Sequence, residues 1–366
     1  MERKTEAQRL RAVESFKTAG EFISCEPYGN GHINDTYLVV CKTGSGNKRY
    51  ILQAVNTDVF KEPEKLMSNI EKVTAFLRKN GCGERETLSL VKTRDNKPYF
   101  TDGDGNCWRM YDFIEDSICL ELPESNEDFY QCAVAFGKFQ RFLDDFPVGE
   151  LYETIPDFHN TPKRFADFTA AVSKDALGRA ANVREEIEFI KSRRDFYPVL
   201  IDNEKAGLLP RRVSHNDTKS NNVMLDSVTR TALCVIDLDT VMPGYSVTDF
   251  GDSIRFGAST AAEDEKDLSK VHFSLEKFKT YAAGYLYGCG GMLKNEEIML
   301  LPEGAKMMTI ECGMRFLTDY LEGDTYFRTA YPEHNLVRCR TQLKLVSEME
   351  EQWDEMKNAV KEFLNP

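Results

Sequence analysis

Hydrophobic and polar positions along the chain follow two different periods. In the first third, apolar residues form short runs, for example at positions 36–41, 50–55 and 107–114, and turn residues separate these runs. Such runs predict β-strands. Farther along, apolar residues recur every three or four positions, which predicts helices. This order predicts an α+β protein with two lobes, a small β-rich N-lobe over residues 1–112 and a larger helical C-lobe over residues 113–366.

The same patterns place individual elements. Further strands are predicted at residues 88–91 and 99–100. Pro63 suits the first turn of a helix, and Asn80 with Gly81 would end it. Helices are predicted at residues 4–18, 63–79, 127–146, 272–287, 303–322 and 341–364.

Composition narrows the class of protein. The 366 residues are 41% hydrophobic and 29% charged, as is typical of a folded globular protein. A net charge of −13 argues against nucleic-acid binding. No apolar run reaches the ~18 residues of a membrane span, and no basic amphipathic segment predicts membrane binding. Ten scattered cysteines without a C-x-x-C pair argue against a zinc site and predict free thiols in a cytoplasmic protein.

One polar stretch within the helical part carries a chemical signal. His215, Asp217 and Asn222 follow the spacing H-x-D-x-x-x-x-N, which is typical of a kinase catalytic loop. In such a loop Asp217 would meet the acceptor hydroxyl and take or aim its proton, whereas Asn222 would hold magnesium on the nucleotide phosphates. His215 would lie beneath the loop and fix its backbone by hydrogen bonds.

The residues after this loop strengthen the hypothesis. Apolar runs at 222–225 and 232–236 flank a turn at 226–230, a pattern that predicts a β-hairpin. The hairpin would deliver Asp237 to the loop, where a kinase places its metal-binding Asp. Asp239 adds a second acidic residue two positions farther on.

The N-terminal part offers candidate nucleotide contacts. Gly29, Asn30 and Gly31 precede a predicted strand, and their backbone amides would cover the phosphates of ATP. A plain hairpin turn would have the same residues. Asp112 and Ile114 lie where the strand of a two-lobed kinase leads into the hinge, whose backbone pairs with adenine.

One expected residue is missing. The second strand of such a lobe should carry a Lys that binds phosphate, but Gln53 occupies that position. Gln53 can donate a hydrogen bond to a phosphate oxygen but brings no charge. Either Lys48, Arg49 or Lys219 supplies the charge, or magnesium carries more of it.

At this point several stretches together resemble the aminoglycoside phosphotransferase and choline kinase superfamily, and within it the N-acetylhexosamine 1-kinases. The phrase His-Asn-Asp-Thr-Lys, with Asn where most of the superfamily has Gly, is the most specific of them. The resemblance covers most of the chain and implies a protein-kinase-like fold. It rests on residues 27–37, 50–56, 155–159, 214–219, 235–244, 316–320 and 325–327.

The resemblance implies transfer of the γ-phosphoryl group of ATP to the anomeric hydroxyl of N-acetylglucosamine or N-acetylgalactosamine, with Mg²⁺ as cofactor. It implies Asp217 as base, Asn222 and Asp237 as magnesium ligands, and Asp249 as a brace of the catalytic loop. The residues that it places around the sugar are Lys219, Arg315 and Tyr326, with His32 and Phe256 near the N-acyl group. The expected partners are ATP and a small-molecule sugar, for a monomer or weak homo-oligomer.

Other interpretations stay open. A sibling kinase could act on choline, homoserine, methylthioribose or another sugar, and Gln53 would also suit a non-catalytic nucleotide-binding protein or a plain scaffold. Arg315 could belong to an ion-paired helix face, and His159 could touch substrate or be structural.

Overall fold

The computed structural model describes residues 4–29 and 33–364. Its N-terminal part is built around a five-stranded antiparallel sheet. The strands are β1 (Glu21–Pro27), β2 (Asp35–Thr43), β3 (Gly46–Val55), β4 (Phe100–Thr101) and β5 (Cys107–Asp112), in the spatial order β1-β2-β3-β5-β4. Two helices pack on this sheet, α1 (Glu6–Ser15) and α2 (Pro63–Lys79).

The two faces of the sheet bury different side chains because strand residues alternate in direction. Leu52 and Trp108 point to one face, where Phe16 at the end of α1 completes a small apolar core. Val55 and Tyr111 point to the other face and pack with α2. The apolar contacts continue from this second face into the helical part, and the lobe boundary between residues 112 and 113 stays a prediction.

Helix α2 has the bounds that its sequence pattern predicts. Pro63 lies in the first turn, where its missing N–H leaves no hydrogen bond unmade. Leu66, Ile70, Val73 and Leu77 recur at helical spacing and are all buried, so the helix is held by its apolar face.

The strand predicted at residues 88–91 is wrong. Only Leu90 forms an isolated bridge, with Tyr111 of β5. The carbonyl oxygen of Leu88 accepts from Arg78, and that of Lys92 accepts from the Lys17 N–H. These flanking backbone groups are satisfied away from β5, so no continuous ladder forms.

The C-terminal part is mainly helical, as predicted. Its helices are α3 (Asn126–Phe142), α4 (Thr161–Lys174), α5 (Arg184–Lys191), α6 (Val199–Lys205), α7 (Ser246–Gly257), α8 (Leu275–Cys289), α9 (Asn295–Met299), α10 (Leu301–Glu322), α11 (His334–Glu351) and α12 (Trp353–Lys361). The single closing helix predicted at residues 341–364 is therefore wrong. The helix is interrupted at Gln352, so that α12 contacts α8 whereas α11 packs against α10.

Two small sheets carry the segment with the kinase-like spacing. One pairs β7 (Arg212–Ser214) with β10 (Met242–Gly244). The other holds β6 (Ser117–Cys119), β8 (Val223–Asp226) and β9 (Ala232–Val235) in the order β6-β8-β9, which confirms the predicted hairpin. No helix in the described part of the chain is both long and apolar enough to cross a lipid bilayer.

Candidate active site

The loop between β7 and β8 brings three polar side chains together. Lys219 Nζ lies 2.8 Å from Asp217 Oδ1. Asn222 Nδ2 donates to Asp217 Oδ2 at 3.1 Å and to the Asp217 carbonyl oxygen at 2.8 Å. The Asp217 side chain is 25% exposed, so a small molecule can still reach it. Burial lowers the pKa of Lys219, but the Asp217 carboxylate more than offsets this effect and the pKa is raised.

His215 lies beneath the loop, which confirms its predicted structural role. Its Nδ1 accepts a hydrogen bond from the Asp217 N–H at 3.3 Å, so Nε2 is the protonated nitrogen and donates to the Ile236 carbonyl oxygen at 2.9 Å. The ring is fully buried, with Phe136 and Phe139 edge-on to it. His215 thus joins the loop to the end of the β8–β9 hairpin.

Asp249, in the first turn of α7, braces the same loop, as expected. Its Oδ2 accepts from the His215 N–H at 2.8 Å and from Gln140 Nε2 at 2.9 Å, and its Oδ1 accepts from the Asn216 N–H at 2.8 Å. Burial raises the pKa of Asp249 to about 6, although the hydrogen bonds from the loop favour the carboxylate. The loop backbone is therefore held from below by a buried acid.

Asn216 adopts the left-handed conformation, with φ of 64°. Gly and Asn adopt this region more readily than other residues, so Asn can fill the position where the resemblance leads us to expect Gly. Its Nδ2 also donates to the carbonyl oxygens of Ser214 at 3.2 Å and Thr240 at 2.9 Å. Gly could not make these two contacts.

Asp237 follows β9 and lies next to the loop, since the N–H of the preceding Ile236 donates to the Asn222 carbonyl oxygen at 2.9 Å. Its φ of 57° is unusual for a residue other than Gly. Surrounding protein atoms displace water from the Asp237 carboxylate and raise its pKa, and the nearby carboxylates of Asp239 and Asp217 raise it further. A bound cation would relieve the crowding of negative charge.

The donor atoms fit magnesium. Carboxylate and amide oxygens are hard ligands, and Mg²⁺ is usually held by one or two protein groups together with waters and substrate phosphates. Because Asn222 uses its nitrogen to bond Asp217, its Oδ1 is left for a cation. Within residues 4–29 and 33–364, no three or more His, Cys, Asp and Glu side chains form a group that could hold a metal ion.

The predicted nucleotide contacts are only partly described. Asn30 and Gly31 lie outside the described residues, whereas Gly29 has φ of 72° between β1 and β2. His32, which the resemblance places near the N-acyl group of the sugar, also lies outside the described residues. The amide of Gln53 donates to Thr36 Oγ1 at 3.0 Å.

The predicted hinge residues lie at and just beyond the end of β5. Asp112 Oδ1 pairs with Lys48 Nζ at 2.9 Å. Ile114 is buried, and its carbonyl oxygen accepts from Ser117 Oγ at 2.6 Å. Their contacts with a nucleotide stay predictions.

A family model of phosphotransferase enzymes matches residues 24–281, which is more than half of the chain and includes the whole loop and hairpin. The chain belongs to the phosphotransferase enzyme family. The activity that this family supports is transfer of a phosphoryl group.

Solved structures share the fold of this phosphotransferase. The aminoglycoside phosphotransferase of Alicyclobacillus acidocaldarius has a TM-score of 0.64 at 12% identity, and the match covers 99% of this chain and 98% of that one. An ethanolamine kinase of Plasmodium vivax has a TM-score of 0.54 at 18% identity, with 90% and 83% covered. A choline kinase of Cryptosporidium parvum has a TM-score of 0.53 at 12% identity, with 93% and 92% covered. At these identities the likeness shows the kinase-like two-lobed fold alone.

Three of the predicted sugar contacts of the phosphotransferase, Phe256, Arg315 and Tyr326, lie on α7, on α10 and in the segment after α10, whereas Lys219 lies on the catalytic loop. Arg315 donates to the Tyr326 hydroxyl at 3.3 Å, and its guanidinium lies 5.5 to 5.7 Å from the ring centres of Phe158, Tyr326 and Phe327. Within the described residues Arg315 forms no ion pair, so the alternative of an ion-paired helix face does not hold for it. Phe256 is half-buried near the end of α7.

Sequence reasoning missed the links that His159 makes. Its Nδ1 lies 2.9 Å from Oε1 of Glu311, and its Nε2 lies 3.4 Å from the Asn216 carbonyl oxygen. Burial raises the pKa of Glu311, but hydrogen bonds from His159 and Thr161 more than offset this, so the pKa is lowered. His159 therefore connects α10 to the catalytic loop, which favours its structural role.

A second missed contact joins Arg109 of β5 to Asp239, and both side chains are almost fully buried. A charged residue within the apolar run at 107–114 was the signal that could have pointed to it, because a buried Arg needs an acidic partner.

Proposed function

We propose that this phosphotransferase is a kinase that transfers the γ-phosphoryl group of ATP to the anomeric hydroxyl of an N-acetylhexosamine. The observation that carries the proposal is the arrangement of Asp217, Lys219 and Asn222 on one loop, next to the segment of Asp237, since the Ile236 N–H donates to the Asn222 carbonyl oxygen at 2.9 Å. A carboxylate for the acceptor hydroxyl and oxygen ligands for a cation are the groups that phosphoryl transfer needs from a protein.

In this proposal Asp217 receives the proton of the acceptor hydroxyl. The acceptor oxygen then bonds to the γ-phosphorus, the bond from that phosphorus to the β–γ bridging oxygen breaks, and ADP leaves with the electron pair. Lys219 and Asn222 each contact one oxygen of Asp217, so the carboxylate is oriented before substrate binds. Such positioning is the main contribution of the protein, since the reaction needs little covalent chemistry from it.

Asn222 and Asp237 would hold Mg²⁺ in this kinase. The ion, when bound, supplies positive charge that neutralises the phosphate oxygens. His215 and Asp249 would keep the loop in place below them, since both bind the loop backbone.

The charges on the acceptor side favour a neutral sugar. Choline, ethanolamine and aminoglycosides are cations, which the positive charge of Arg315 would disfavour at this position. Within the described part of the chain Arg315 forms no ion pair and lies among aromatic rings, and the nearby Glu311 is bonded to His159 and Thr161. Aromatic faces and fixed donors suit a sugar, which presents hydroxyl groups and an apolar ring face.

The test is to incubate the protein with ATP, Mg²⁺ and N-acetylglucosamine or N-acetylgalactosamine and to identify the product by phosphorus NMR. We expect a sugar 1-phosphate. A 6-phosphate would overturn the regiochemistry but not the kinase, and ADP release only with choline, homoserine, methylthioribose or an aminoglycoside would assign a sibling activity. ATP binding without turnover on any acceptor would support a non-catalytic protein.

The role of Asp217 is tested by Asp217→Asn, which keeps the size of the side chain but removes the base. We expect kcat to fall by about 10² or more, as for loss of a general base, while the affinity for sugar changes little. Asp202→Asn is the control, because the exposed Asp202 side chain pairs with Lys205 on α6 and with no other cation among the described residues. Near-normal turnover of Asp217→Asn would refute the assignment.

A further inference from the structure

The β3 position where a kinase has its phosphate-binding Lys cannot serve that purpose here. Gln53 carries no charge, and both ends of its amide are engaged. Its Nε2 donates to Thr36 Oγ1 at 3.0 Å, and its Oε1 accepts from Arg109 Nε at 2.9 Å. A charge for the phosphates must therefore come from another residue or from the metal alone.

The three cations proposed from sequence are engaged elsewhere. Lys48 pairs with Asp112 and Arg49 with Glu115, and the cationic side chains are 44% and 39% exposed. Water screens charges that are exposed to this extent. Lys219 is paired with Asp217 in the catalytic loop.

Arg109 is placed differently. The register of β3 and β5 puts it directly opposite Gln53, on the face of the sheet that meets the helical part. Its side chain is only 1% exposed, and its guanidinium is ion-paired with Asp239, which is 5% exposed. Burial alone would lower the pKa of Arg109, but the Asp239 carboxylate more than offsets it, so the guanidinium keeps its charge.

Asp239 receives a second N-terminal contact. Its Oδ2 accepts from Asn34 Nδ2 at 2.6 Å, and Asn34 Oδ1 accepts in turn from the Asn56 N–H at 2.9 Å. Asn34 lies between the turn at Gly29 and strand β2. One carboxylate, two residues beyond Asp237, thus binds both β5 and the residue just before β2.

We propose that Arg109 takes over the task of the absent β3 Lys, as a positioning residue that acts through Asp239. It supplies a buried positive charge near Asp237 and joins β5 and Asn34 of the N-terminal part to the segment that carries Asp237. The inference rests on the proposed function only in requiring that the protein binds a nucleoside triphosphate with magnesium. Lys could not replace Arg here, because one ammonium group cannot match the rigid fork that contacts Gln53 and Asp239 together.

The test measures binding of Mg-ATP and Mg-ADP by calorimetry without any acceptor, then KM for ATP and kcat where turnover is found. We expect Arg109→Lys to weaken Mg-ATP binding by about tenfold or more, the scale of one charge-assisted contact, while KM for the acceptor stays within about twofold. The control is Arg193→Lys, which breaks a two-point pair with Glu350 among the C-terminal helices. It should leave Mg-ATP affinity unchanged.

Moving the positive charge from position 109 to position 53 tests whether Arg109 acts through its charge or only stabilises the fold. Arg109→Gln should lose Mg-ATP affinity, and adding Gln53→Lys in the same chain should restore part of it by returning the charge to β3. If the Arg109 variants fail to fold, Asp239→Asn tests the same link, and it too should weaken Mg-ATP binding. Wild-type affinity in Arg109→Lys or Asp239→Asn would overturn the inference alone. A wild-type protein that binds no Mg-ATP would overturn the proposed function as well.

Discussion

Asn216 offers the sharpest test of how the catalytic loop is held. Its φ of 64° and its side-chain bonds to the Ser214 and Thr240 carbonyl oxygens make separate contributions. Replacement by Gly keeps the backbone conformation but removes two buried hydrogen bonds of about 0.5–1.5 kcal/mol each and adds about 0.5–1 kcal/mol of chain entropy. We therefore expect Asn216→Gly to lose about 1.5–4 kcal/mol of the free energy of unfolding. Asn216→Ala should lose about 1 kcal/mol more, because Ala is strained at positive φ.

The assay is equilibrium unfolding in urea, with Asn96 as the matched control. Asn96 has φ of 63° but is exposed, and its side chain bonds only to the exposed Lys17. Asn96→Ala and Asn96→Gly should show the same gap of about 1 kcal/mol between them, whereas Asn96→Gly alone should cost much less than Asn216→Gly. Equal losses in the free energy of unfolding for Asn216→Gly and Asn96→Gly would show that the side-chain hydrogen bonds of Asn216 contribute nothing. An Asn216→Ala protein as stable as Asn216→Gly would refute the backbone argument.

Two further predictions concern stability. Because the pKa of Asp249 is raised to about 6 in the fold, above its value in the unfolded chain, its ionised form costs stability at neutral pH. Lowering the pH from 7 to 5 should therefore stabilise wild type relative to Asp249→Asn by about 1 kcal/mol, and a pH-independent difference in urea unfolding would contradict this. Gly284→Ala should destabilise by about 1–3 kcal/mol through overpacking, since its Cβ would lie 2.5 Å from the Tyr130 carbonyl oxygen. Gly149→Ala is the control, because a Cβ at this position would have no other atom within 4 Å. Equal melting temperatures for Gly284→Ala and Gly149→Ala would refute the clash.

The parts of the site that sequence could predict are local in the chain. Asp217 and Asn222 contact each other across five positions, and the turn of the following hairpin carries its own sequence signal. Helix α2 was also predictable, because the periodic pattern and the Pro at its start agree. Each of these depends on neighbours within a few residues, which a pattern along the chain contains directly.

The parts that could not be predicted depend on which strands and helices meet. Residues 88–91 have the apolar character of a strand, yet their ladder fails because Lys92 and Leu88 give their carbonyl oxygens to other partners. His159 and Glu311 are 152 positions apart, and Arg109 and Asp239 are 130 positions apart. Neither pairing follows from periodicity or spacing, since both require the packed arrangement of the two parts.

The contrast between Gln53 and Arg109 shows why a missing motif residue is weak evidence against activity. The kinase motif specifies a lysine at one position of one strand. The electrostatic requirement is only for a positive charge at a particular place in the site. Antiparallel pairing sets Gln53 and Arg109 side by side on the same face, so a charge moved to the next strand shifts little in space. Because Asp239 fixes that charge in a buried pair, the pair has the rigidity that a preorganised phosphate site requires. Whether the protein is catalytic is therefore decided by turnover of the wild type, and whether Arg109 compensates for Gln53 is decided by the affinity of the Arg109 variants for Mg-ATP.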